Sequence, residues 1–153
     1  MKRLKQAALV FIVVFAAAQF VRPGRANPPI DPALTIQTYV GTASGLVAVL
    51  DRPCGDCHSN ATEWPWCTQI ASLSWRGVAD GRRAVNFSEW GTYLSDQQRA
   101  LLALSSQDPQ EGRMPGPSYT LLRRETRLSV QDIMTICAAA IRAGGRLVAE
   151  ERR

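Results

Sequence analysis

The run Cys54-Gly55-Asp56-Cys57-His58 carries the most specific chemistry in this chain. Two thiols at this spacing sit on one tight turn and can add to the two vinyl groups of a single porphyrin. The adjacent imidazole is then held beneath the ring, where it can bind iron from the proximal side. The same C-x-x-C spacing also serves a redox dithiol or half of a zinc site. Cys54, Cys57, His58 and Cys67 together have zinc-ligand types, so a dithiol or metal-binding module without haem is one alternative.

His58 is the only histidine, so one chain cannot supply bis-histidine coordination. The methionines are Met1, Met114 and Met134. Met1 belongs to the N-terminal segment, and Met134 falls on a helix that reads as core. Met114 lies in Glu111-Gly-Arg-Met-Pro-Gly-Pro117, a loop whose prolines limit its retreat. Its thioether is the candidate sixth ligand. If that bond were labile, the iron would be open to peroxide or a diatomic gas, giving a haem enzyme or a gas or redox sensor. Against a peroxidase, no second histidine is available as distal acid and base. Trp64 and Trp66 follow the motif closely and are candidate walls of the cofactor pocket, while Trp75 and Trp90 read equally as core. Arg82 or Arg83 is a candidate for a propionate, with a solvated helix end as the plainer reading. The carbonyl of a neighbour of Pro65 is a candidate acceptor for the His58 ring N–H. Cys67 and Cys137 remain; they are either a disulfide or separate buried thiols.

The rest of the chain must deliver and position these groups. Lys2, Arg3 and Lys5 precede an apolar run from Ala7 to Ala18, which reads as a secretory signal or an N-terminal membrane anchor over residues 1–26. Export by either route places residues 27–153 on the periplasmic side of a bacterial inner membrane. The formal charge of +5 is misleading for function. Five of the 18 basic residues lie in the N-terminal segment, leaving 13 Arg against 13 acids beyond it. A nucleic-acid interface is therefore not expected.

The exported part is long enough for one core. Asp31-Pro32 reads as the start of a helix running to about Leu50, with Ile36, Val40, Val47 and Leu50 inward. A second helix is expected from Ser74 to about Arg83. Ser95-x-x-Gln98 has the pattern of a capping box for a third, running to about Leu104. Asp108 to Tyr119 reads as a loop. Ser129 caps a last helix bearing Ile133, Ile136, Ala140 and Ile141 on one face and stopped by Gly144-Gly145. No useful stretch alternates with a period of two, so the class is all-α with long loops.

From Phe20 to about Ala143 the chain resembles the bacterial haem-binding domain family, cytochrome c-like proteins of the periplasm. The stretches that carry the likeness are Phe20-Val-Arg-Pro, Asn27-Pro-Pro and Cys54-x-x-Cys-His-Ser-Asn60. They continue with Glu63-Trp-Pro-Trp66, Gly81-Arg-Arg, Asn86-Phe-Ser-Glu-Trp90, Met114-Pro and Pro117-Ser-Tyr-Thr-Leu-Leu122. The resemblance implies a cytochrome c-like single domain with one covalently attached haem c, its iron bound by His58 and, consistently, by Met114. It differs at Cys67, where an aromatic is expected, and at Met114-Pro-Gly, where the stretch is more polar than the pattern. Iron with both axial positions filled favours one-electron transfer over substrate binding. Redox proteins in or at the inner membrane are the expected partners.

Overall fold

A computed structural model describes residues 2–18, 20, 25–41, 45–64 and 73–150, with side chains at 18, 73–76 and 144–150 left aside. Every regular element among them is helical. The first, α1 (Lys2–Ala18), is 17 residues long, and its apolar side chains from Leu4 to Phe15 are exposed. Among the described residues no helix is long and apolar enough to cross a membrane, so a spanning anchor gains no support.

The single first helix expected from Asp31 to Leu50 is instead three pieces. Asp31 accepts from the Ala33 N–H at 2.9 Å and caps a 3-10 turn, Pro32–Leu34. Next come α2 (Ile36–Val40) and α3 (Gly45–Asp51). Gly41 ends α2 with φ +82°, a left-handed conformation that glycine adopts without a Cβ penalty. The break rotates the buried face: Ile36, Leu46, Val49 and Leu50 are inward, whereas Val47 is only half-buried.

The motif turn α4 (Gly55–His58) follows α3 almost without interruption, since the Cys54 N–H still donates to the Leu50 carbonyl at 3.1 Å. Against it packs α5 (Leu73–Ala84), close to the expected second helix. A 3-10 stretch, Phe87–Thr92, replaces the expected loop and buries Phe87 and Trp90. Then α6 (Ser95–Gln110) runs well past Leu104 into the segment read as loop. Its start is also offset from the expectation. Ser95 is already helical, and it is Gln97, not Gln98, that reaches back to the Leu94 N–H at 2.9 Å. Gln98 instead donates to the carbonyls of Trp90 at 2.9 Å and Tyr93 at 3.2 Å, tying the helix to the 3-10 stretch.

The loop expectation holds for residues 111–116, and a short α7 (Pro117–Leu122) takes up its last residues, beginning with proline at its first position. The last helix, α8 (Val130–Glu150), starts where Ser129 predicts: the Asp132 N–H donates to Ser129 Oγ at 3.1 Å, and Asp132 accepts from the Ser129 N–H at 2.9 Å. It does not stop at Gly144-Gly145 but continues through them. Its inner face is Ile136 and Ala139, flanked by Ala140 and Ala143. Ile141 and Met134, both expected inside, are 75% and 60% exposed. The hundred-degree step of a helix places position 141 away from 136 and 139, which the packing on α6 and α3 selects.

One apolar core joins these pieces: Ile36, Leu46, Leu50, Phe87, Trp90, Leu102 and Ile136 are its centre. Fully burying a side chain of this size contributes roughly 1.5–3 kcal/mol before chain entropy is charged against it.

Candidate functional site

Helical spacing explains the motif's geometry. Cys54 and His58 are four residues apart, so they share one face of the turn, and the His58 N–H donates to the Cys54 carbonyl at 2.9 Å. Both line a single cleft with Leu50, Ala84, Val85, Phe87, Leu101 and Leu104. Cys57, one residue earlier on the turn, is half-buried but does not line that cleft. Asp56 lies on another side and borders a separate, polar groove.

Imidazole orientation is set by backbone. His58 Nδ1 lies 3.2 Å from the Val85 carbonyl oxygen, which can only accept, so Nδ1 carries the proton and Nε2 keeps its lone pair. The partner is Val85, the residue just past α5, whereas Pro65 and Trp66 lie outside the described residues. Burial holds the imidazolium below its ordinary pKa against the opposing pull of the Val85 and Gly81 carbonyls and of Asp108. The neutral, ligating form is thereby favoured. Phe87 packs with its ring centroid 5.9 Å from that of His58, and Trp90 stands behind Phe87 at 6.3 Å. Trp90 is therefore core and not cleft wall.

Burial disfavours the thiolate at both motif cysteines. Burial, followed by the proximity of Cys57, pushes Cys54 up to about 12. Burial and the Asp56 charge raise Cys57, against Arg82. A redox dithiol requires the opposite shift, a stabilised thiolate. Among the described residues no group of three or more His, Cys, Asp or Glu side chains could hold a metal ion. Cys67 and Trp66 lie outside those residues, and the Cys67–Cys137 pairing with them; Cys137 itself is half-buried.

Met114 reaches the same cleft from the far side of the sequence. Its N–H and that of Arg113 donate to the Asp108 carbonyl at 3.3 and 2.9 Å, folding the segment back onto the end of α6. Arg113 adds ion pairs to Asp108, at 2.6 Å, and to Glu111. The Met114 side chain remains 46% exposed. Trp64 is half-buried and not a wall of this cleft, yet its indole N–H is fully enclosed and has no acceptor.

Arg82 is neither a propionate ligand in waiting nor a free helix end. It donates to the Ser59 carbonyl and Thr62 Oγ1, both at 2.7 Å, and to Asn27 Oδ1 at 2.9 Å. It thus ties the chain after the motif to the N-terminal linker. Arg83 pairs with Asp80 at the surface. Around the same turn, buried Asn60 accepts from Asn86 Nδ2 at 2.8 Å, and its N–H donates to Ser88 Oγ at 2.9 Å. Gly81 allows α5 to approach: a Cβ there would meet the Cys57 carbonyl oxygen at 2.5 Å. The walls Val85, Phe87, Leu101 and Leu104 were not singled out by sequence, although Asn86-Phe87 sits inside a recognised stretch.

An all-helical domain with an imidazole, a thiol and a thioether converging on one apolar cleft has the donor set of a haem-binding protein. A family model described as haem-binding domain matches residues 13–140, and the chain belongs to that family. Comparisons with curated proteins and with solved structures returned no match. Haem fits the residues present: soft and imidazole donors lie on apolar walls, with the imidazole held as the neutral Nδ1–H tautomer.

Proposed function

We propose that the protein is a monohaem c-type cytochrome-like carrier of single electrons. In this reading Cys54 and Cys57 form the thioether links, His58 Nε2 is the proximal ligand and Met114 the distal one. Bound haem supplies the one-electron chemistry; the chain supplies ligand choice, burial and orientation. The observation that carries the reading is the convergence of Cys54, His58 and Met114 on one cleft, with the His58 tautomer held by the Val85 carbonyl. The basic start and apolar body of α1 support its use as an export signal, which would place the domain in the periplasm beside redox partners of the inner membrane.

Exposure of Met114 favours one second reading, a sensor or enzyme in which that ligand departs and the iron binds a small molecule. Burial that disfavours the thiolate at both cysteines speaks against the haem-free dithiol.

Attachment is tested by denaturing electrophoresis with a haem stain on protein matured in a periplasm. The stain should migrate with the wild-type polypeptide and vanish from the double variant Cys54→Ala, Cys57→Ala. Persistence of the stain in that variant would end the covalent reading.

A further inference from the structure

One of the two residues between the motif cysteines, Asp56, is engaged at long range. Asp56 is 8% exposed, and its Oδ2 accepts from both the Tyr119 hydroxyl and Arg123 Nη1. Its Oδ1 accepts from the Glu63 N–H at 3.1 Å, so both oxygens are committed. Tyr119 and Arg123 belong to α7 and its C-cap, 63 and 67 residues further along the chain. The Arg123 guanidinium also lies 5.9 Å from the Tyr119 ring centroid and bonds Glu125 at 3.0 Å. A carboxylate shared by a phenol and a guanidinium at a largely buried position is a strong, directional joint.

What lies between this joint and the cleft is short and stiff. Met114 is joined to Tyr119 by Pro115-Gly116-Pro117-Ser118, and the Tyr119 N–H donates to the Gly116 carbonyl at 3.1 Å. Two prolines in four residues leave few dihedrals to absorb a displacement. On its other side Met114 is held by the Asp108 carbonyl. The segment is thus a bridge with one foot on α6, beside the cleft, and the other on the attachment turn itself.

We propose that Asp56, Tyr119 and Arg123 form a clamp that positions Met114 over the cleft by fastening its loop to the turn bearing Cys57 and His58. The proposal rests on the reading of Met114 as sixth ligand. None of the three touches the reacting centre; they are positioning residues that register the distal segment against the proximal one.

Tyr119→Phe, which keeps the ring and loses only the hydroxyl, and Asp56→Asn test it in the full-length haem-loaded protein. Two readouts separate the two claims. Hydrogen exchange of residues 111–116 decides the clamp. It should accelerate about tenfold in both variants, as expected for losing one charge-assisted bond, while the α6 core around Leu102 stays as in the wild type. Unchanged exchange at 111–116, or equal acceleration everywhere, overturns the clamp. The near-infrared sulfur-to-ferric-iron band decides ligation. It should be present in the wild type and weakened in both variants; its absence from the wild type removes Met114 as ligand, while the exchange result still stands for or against the clamp.

Discussion

The two sides of the cleft are built to different standards. The proximal side, from Cys54 to Thr62, sits in a buried polar lattice: Asn60 and Asn86 bond each other, Arg82 ties Ser59 and Thr62 to the N-terminal linker, and α5 presses on Cys57 through Gly81. The distal side is a half-exposed methionine on a proline-bounded segment, held by surface ion pairs of Arg113 and by the Asp56 joint. Exposed ion pairs contribute little, with a typical value of ~0–1 kcal/mol. Losing a buried hydrogen-bond partner costs about 1–3 kcal/mol. The contrast teaches that His58 is fixed by a buried lattice with several independent bonds, whereas the place of Met114 depends on exposed ion pairs and the single Asp56 joint.

Substitutions can break that contrast, beginning with the largest effect. Gly81→Ala places a Cβ against the Cys57 carbonyl, where backbone must move, and should cost about 2–3 kcal/mol. Its denaturation midpoint measures this; a midpoint equal to wild type would show that α5 is not pressed onto the motif. Asn60→Ala comes next. It strands the Asn86 amide and should cost about 1–3 kcal/mol in the same assay.

A milder case lies at the start of α8. The Ser129 N–H and hydroxyl, then Arg52, hold the Asp132 carboxyl below its ordinary value. A depressed folded-state pKa stabilises above the unfolded value and is lost as pH falls through the folded one. Asp132→Ala should therefore cost about 1 kcal/mol at neutral pH and nothing once acid has protonated the carboxyl. A cost that persisted in acid would contradict the cap. Smallest is Met134→Ala: its exposed side chain should leave stability within about 0.5 kcal/mol and the haem spectrum unchanged.

Sequence made the chemistry legible where it is local. Cysteines and histidine three and four residues apart, the Asp31 and Ser129 caps, and α5 all follow from short-range rules. It failed where long-range packing chooses. The hundred-degree step separates Ile136 from Ile141, but only packing on α6 and α3 decides which of them is inward and that Met134 faces outward. Gln97 and Gln98 are equally placed for a cap until Trp90 and Tyr93 claim the latter. The Val85 carbonyl, a backbone atom 27 residues from His58, has no side-chain signature. Tyr119 sits in a stretch that carries the family likeness, but its role and that of Arg123 appear only when the fold sets them against Asp56.

The central claim is a cleft with a fixed imidazole on one face and the Met114 thioether on the other. Near-infrared absorption of the ferric protein tests it most directly, recorded for wild type, Met114→Ala and Met134→Ala. The account predicts a weak sulfur-to-iron charge-transfer band in the wild type and in Met134→Ala, and its loss in Met114→Ala together with ready binding of carbon monoxide after reduction. A band that survives Met114→Ala, or a wild type already high-spin and open to carbon monoxide, would contradict it.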